Sequence, residues 1–134
     1  MKQYVTDTQC LLWHLSEDRR LPRSVRRVLD AAEDGRAQVI VPSIVLVEAV
    51  FLLQRQKVKE DVLTKLFELS EQPDANFYVT PLDLAVVQAL RSFGPAAVPE
   101  LSDRIVAATA LALGLPLLTT DSAMIDSGLI ETVD

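Results

Sequence analysis

Four carboxylates stand in contexts that otherwise read as strand end or buried helix. Asp7 follows "KQYVT", Glu48 sits inside "SIVLVEAVFLL", Asp103 opens "DRIVAATALAL", and Asp121 follows "PLLTT". Glu48 is the sharpest case, because its neighbours one helical turn away are all apolar: Ile44 and Val45 behind, Phe51 and Leu52 ahead. Carboxylates buried together without partners lose solvation and repel one another, so most would take up a proton at neutral pH. A divalent cation removes that penalty. Oxygen-only donors with no histidine or cysteine among them favour a hard ion, Mg²⁺ or Mn²⁺ rather than zinc, and Mg²⁺ takes only one or two carboxylates directly. Each acid also has an ordinary reading: Asp7 and Asp103 as helix N-caps, Asp121 as a turn residue, Glu48 as one half of a buried pair. Thr119 and Thr120 offer hydroxyls beside Asp121.

The elements that must carry these acids are short and alternate in type. "KQYV" reads as a strand, and Thr8 to Leu15 as a helix. Pro22 and Gly35 bracket a second helix, "AQVIV" is a strand of the kind buried on both faces, and Ser43 is placed to cap a helix running to about Arg55. "EDVLTKLFELSEQ" puts Val62, Leu63, Leu66, Phe67 and Leu69 on one stripe of an amphipathic helix. "FYVTP" is a strand, Asp83 to Phe93 a helix, and residues 94–100, with two prolines, a loop. Ser102 or Asp103 is expected to cap the alanine-rich helix that Gly114 and Pro116 end, and "LIETV" to form an edge strand. The alternation predicts an α/β fold: a central, mainly parallel sheet flanked by helices, with the strand C-termini on one edge.

A chain of 134 residues fits one domain with its own core. One cysteine, Cys10, excludes an internal disulfide. No signal peptide is visible at the start, and the longest nearly apolar stretch, Ile105 to Leu118, is broken by Gly114 and Pro116. The expectation is a soluble, cytoplasmic protein. Its net charge of −6 argues against a broad nucleic-acid-coating surface. Positive charge is bunched, however, at Arg19, Arg20, Arg23, Arg26 and Arg27; this is either a solvated helix face or a contact for phosphates or an acidic partner. Cys10 and His14 stand four residues apart, as metal ligands on a helix can, but lack companions and read as a packed thiol and an ordinary imidazole. Trp13 and Phe51 read as core or dimer packing. Four scattered glycines form no phosphate-binding loop.

The segments "VTDTQCLLWHL", "VPSIVLVEAVFLL" and "ELSDRIVAATALALGLPLLTTD" resemble the PIN-domain family in order and spacing, and in particular the VapC-type toxin ribonucleases of bacterial toxin-antitoxin modules. The likeness spans essentially the whole chain. It implies a single PIN-like domain over 1–134 and a metal-dependent endoribonuclease that hydrolyses RNA phosphodiester bonds. It also implies Mg²⁺ or Mn²⁺ at Asp7, Glu48, Asp103 and Asp121, with Thr119 and Thr8 in support. The implied partners are RNA, a cognate antitoxin and a second copy of the chain. Gln9 stands where close relatives commonly have histidine, and Asp126 lies where some carry an accessory acid. The competing readings are an inactive PIN-like module that binds RNA or protein, a stand-alone RNA-processing nuclease, and a phosphatase with Asp7 as nucleophile. Gln9 occupies the position where that last chemistry needs a second aspartate.

Overall fold

Strand runs rich in valine, isoleucine and leucine, separated by helices, leave the backbone one economical solution, a parallel sheet reached by right-handed crossovers. In the computed structural model, which describes residues 1–72, 76–94 and 96–134, five strands form that sheet. They are β1 (Gln3–Thr6), β2 (Gln38–Pro42), β3 (Phe77–Thr80), β4 (Leu117–Leu118) and β5 (Thr132–Val133), in the order β3-β2-β1-β4-β5. Every pairing is parallel, with Val5 of β1 opposite Ile40 of β2 and Leu117 of β4. Val5, Val39, Leu117 and Leu118 are fully buried, as expected of strands covered on both faces.

Among the described residues, seven α-helices connect them: α1 (Thr8–Leu15), α2 (Arg23–Glu33), α3 (Ser43–Gln54), α4 (Glu60–Glu68), α5 (Leu84–Leu90), α6 (Leu101–Leu113) and α7 (Ser122–Asp126). From β1 the chain adds β2 and then β3 on one side, and then crosses back to lay β4 and β5 on the other. The order therefore reverses between β1 and β4. In open parallel sheets such a switch point opens a crevice at the strand C-termini. Asp7 ends β1 and Thr119 to Asp121 follow β4, so both segments reach that crevice.

Local differences from the sequence expectations have simple causes. Pro42, not Ser43, holds the N-cap position of α3, and no side chain caps that helix. Glu100 holds the N-cap position of α6, so Ser102 and Asp103 lie in its first turn rather than capping it. Helix α5 ends at Leu90, short of Phe93. In α4, Val62, Leu63 and Leu66 are buried but Phe67 is exposed, and Leu69 is buried in a following 3₁₀ turn, Leu69–Glu71. Helix α3 packs against α1, α4 and α6 through one face only; Val47 and Phe51 are exposed, which corrects the reading of Phe51 as core. Of the loop 94–100, Pro95 lies outside the described residues. Gly114 closes α6 in the left-handed conformation, φ +66°, which lets the chain turn straight into β4. Among the described residues, no helix is long and apolar enough to cross a membrane.

Candidate active site

Asp7 stands at the switch point between β1 and β4. Its backbone N–H donates to the Leu118 carbonyl at 3.0 Å, tying the end of β1 to the end of β4. Its side chain is 5% exposed, and both oxygens are engaged: Oδ1 accepts the Cys10 N–H at 2.8 Å, and Oδ2 accepts the Thr119 hydroxyl at 2.6 Å. The N-cap reading of Asp7 thus holds alongside its place in the crevice. Burial pushes the carboxyl above the usual aspartate range; the bonds from Thr119 and Cys10 oppose this, and the charge of Asp121 adds to it. The buried Cys10 thiol is pushed up strongly, by desolvation first and by the Asp7 charge second, so it is an inert core group.

Thr119 links the first acid to the last. Fully buried, it gives its proton to Asp7 and accepts the Asp121 N–H at 3.0 Å, a pair of bonds only a hydroxyl can make at once. Asp121 Oδ1 accepts from the N–H groups of Ala123 at 2.8 Å and Met124 at 3.2 Å, capping α7. Its Oδ2 makes no hydrogen bond among the described residues. Asp126, at the far end of α7, is exposed.

The other two acids come from α3 and α6. Glu48 is half-buried and spans two hydroxyls, Oε1 accepting from Thr8 and Oε2 from Ser102 at 3.2 Å. These bonds answer how a carboxylate tolerates an apolar helix: it faces the start of α1 and the first turn of α6. The sequence marks Ser102 only as a cap. Asp103, one residue on, makes no side-chain hydrogen bond among the described residues. Its carboxyl is pushed up to about 7, by desolvation first and then by the charges of Asp121, Glu48, Glu100 and Asp7. Three acids from distant segments therefore act on the fourth. Glu100 is a fifth negative charge with no signal in the sequence, since it sits at the edge of an irregular loop.

The carboxylates share a field without collapsing onto one point. Among the described residues, the one trio of His, Cys, Asp or Glu with ligand atoms all within 4.8 Å of one another is His14, Asp30 and Glu33, elsewhere on the molecule. Asp7 and Glu48 already have both oxygens hydrogen-bonded. The donor set therefore fits an ion that keeps part of its water shell, as Mg²⁺ does, better than a cage built only of protein. Among the described residues, no basic side chain lowers the Asp103 carboxyl, which is the electrostatic condition a hard dication satisfies.

Outside the crevice, the arginine group divides. Arg20 is occupied by a forked pair with Asp18, Nε at 3.0 Å and Nη2 at 2.8 Å, and lies 5.1 Å over the Trp13 ring. Arg26 donates to the Asp18 carbonyl at 3.3 Å. Arg19, Arg23 and Arg27 are exposed. Cys10 and His14 part company, the thiol entering the core and the imidazole turning toward α2. Gln9 is exposed on α1 and Trp13 is half-buried.

Residues 4–127 match the family model for the PIN domain. The chain belongs to the PIN domain family. No curated protein matches it. Among solved structures, this PIN domain is similar to VapBC2 from Rickettsia felis bound to a DNA fragment from its promoter, at 18% identity and a TM-score of 0.71, with 97% of this chain and 96% of that one covered. It is also similar to DNA-bound VapBC from Salmonella typhimurium, at 15% identity and a TM-score of 0.68, covering 100% and 98%. FitAcB from Neisseria gonorrhoeae follows at 21% identity and a TM-score of 0.62, covering 98% and 96%. At these identities the likeness is one of fold.

Proposed function

We propose that this chain, as a single PIN domain over 1–134, is a metal-dependent endoribonuclease toxin held in check by a cognate antitoxin. The observation that carries the proposal is the half-buried Asp103 carboxyl, raised to about 7 by burial and by Asp121, Glu48, Glu100 and Asp7, with no basic group in the balance among the described residues. The similarity of the fold to a toxin-antitoxin complex from Klebsiella pneumoniae, at 19% identity and a TM-score of 0.66, and to the VapBC and FitAcB structures supports the same reading.

In this account Asp7, Glu48, Asp103 and Asp121 hold Mg²⁺ or Mn²⁺. A bound dication supplies activation of water and neutralisation of charge building on the phosphate. The chain's own residues do the positioning. Thr119 fixes the Asp7 and Asp121 segments relative to each other, and Thr8 and Ser102 fix the Glu48 carboxylate. No side-chain nucleophile is needed, and Cys10 is unsuited to be one. Arg19, Arg23 and Arg27 are free to meet RNA phosphates, whereas Arg20 is held by Asp18. A cytoplasmic homodimer is the proposed working form, with the exposed apolar residues of α3 available for the second copy.

The test is incubation of the chain, freed of partners, with total RNA in Mg²⁺, in Mn²⁺ and in chelator, with the cut ends mapped. The proposal requires cleavage in either metal, none in chelator, and 5'-phosphate and 3'-hydroxyl ends. Asp7→Asn and Asp103→Asn are each expected to abolish cleavage and growth arrest on expression. Full activity in chelator or in either variant contradicts it. A small co-purifying protein that suppresses cleavage separates a toxin from a stand-alone nuclease.

A further inference from the structure

His14 is the single histidine of the chain, and its side chain is only 8% exposed. Its Nε2 lies 3.2 Å from Glu33 Oε1 and its Nδ1 3.9 Å from Asp30 Oδ1, yet neither nitrogen makes a well-formed hydrogen bond among the described residues. Asp30 and Glu33 are three residues apart on α2 and share a face, while His14 comes from α1. The three ligand atoms lie within 4.8 Å of one another.

We infer that His14, Asp30 and Glu33 form a second metal site, for a borderline transition-metal ion such as Zn²⁺, separate from the acidic crevice. Zinc bonds of about 2.0–2.1 Å at the tetrahedral angle set neighbouring ligand atoms about 3.3 Å apart. Glu33 Oε1 already stands at that spacing from Nε2, and with one ligand atom from each residue the three lie within 4.8 Å of one another, so side-chain rotations at two exposed carboxylates close the triad about one ring nitrogen. One nitrogen with two carboxylate oxygens suits Zn²⁺ and discriminates against Mg²⁺, which takes oxygen donors. The three residues line a cavity of about 770 Å³ that Trp13 and Lys65 also border, which leaves room for water at the fourth position. An ion there bridges α1, the helix that Asp7 caps, to α2, the helix that carries Arg23, Arg26 and Arg27.

The experiment is calorimetric titration of the full chain with Zn²⁺ in a large excess of Mg²⁺, on the wild type, His14→Gln, Glu33→Gln and Asp103→Asn. One Zn²⁺ per chain is expected for the wild type and for Asp103→Asn, with affinity falling by more than about tenfold in His14→Gln and Glu33→Gln. Glu33 is exposed, so its variant tests the site even if His14→Gln folds poorly. Absence of Zn²⁺ binding, unchanged affinity in Glu33→Gln, or loss of binding in Asp103→Asn overturns the inference. Retention in Asp103→Asn also separates this site from the nuclease proposal, which can fail without touching it.

Discussion

Asp103→Asn is expected to stabilise the metal-free protein while destroying its activity. The carboxyl titrates at about 7 in the fold, against 3.8 in its unperturbed state. Between those values the folded state binds more protons than the unfolded one, so stability falls as pH rises from 4 to 7 and stays low above. A gap of about 3 units at about 1.4 kcal/mol each gives about 4 kcal/mol, which partial solvent access roughly halves, to about 2 kcal/mol. Asparagine keeps the shape and cannot ionise. In chelator at pH 8, urea denaturation should therefore find Asp103→Asn more stable than wild type by about 2 kcal/mol, with the difference vanishing near pH 4. Saturating Mn²⁺ should reverse the order, because the ion stabilises only the chain that can bind it. A variant no more stable than wild type at pH 8 in chelator refutes the electrostatic argument for the site.

Thr119→Val keeps the shape of the side chain but leaves Asp7 Oδ2 and the Asp121 N–H unpartnered. It should cost about 2–3 kcal/mol in urea denaturation and lower RNA cleavage, with Thr119→Ser recovering most of both. Leu118→Ala, at a fully buried position in the strand beside β1, should destabilise by about 2–5 kcal/mol by the same assay. Replacing Arg19, Arg23 and Arg27 together by alanine should flatten the slope of log affinity for single-stranded RNA against log salt by about 2, whereas Arg20→Ala, whose charge is held by Asp18, should leave it nearly unchanged.

Much of the architecture is readable because the strands are continuous apolar runs and the breakers stand at their ends. The helix Thr8–Leu15 and the strand starting at Phe77 fall where the sequence puts them. The cap assignments at Ser43 and Ser102 are less readable, because the preceding Pro42 and Glu100 already supply the extended backbone that starts each helix. Phe67, on the apolar stripe of its helix, and Phe51, read as core or dimer packing, are both exposed for one reason: periodicity shows that a helix has an apolar face but not how much of that face a neighbour covers. The four acids stand out in the sequence by their contexts, and in the fold the charges of Asp121, Glu48 and Asp7 act on the Asp103 carboxyl. Their hydroxyl partners stand out less, since a bond such as Ser102 to Glu48 joins residues 54 apart and leaves no local pattern. The triad around His14 is invisible for the same reason. Spacing along one helix reveals i, i+4 pairs such as Cys10 and His14, but not ligands supplied by the next helix.

The most direct measurement is calorimetric titration of Mn²⁺ into the wild type, Asp7→Asn, Glu48→Gln and Asp103→Asn at pH 8. Binding in the wild type that Mg²⁺ displaces, and that falls sharply in all three variants, is the predicted result. Mn²⁺ bound with wild-type affinity by Asp7→Asn and Asp103→Asn alike contradicts the claim that these acids hold a shared cation.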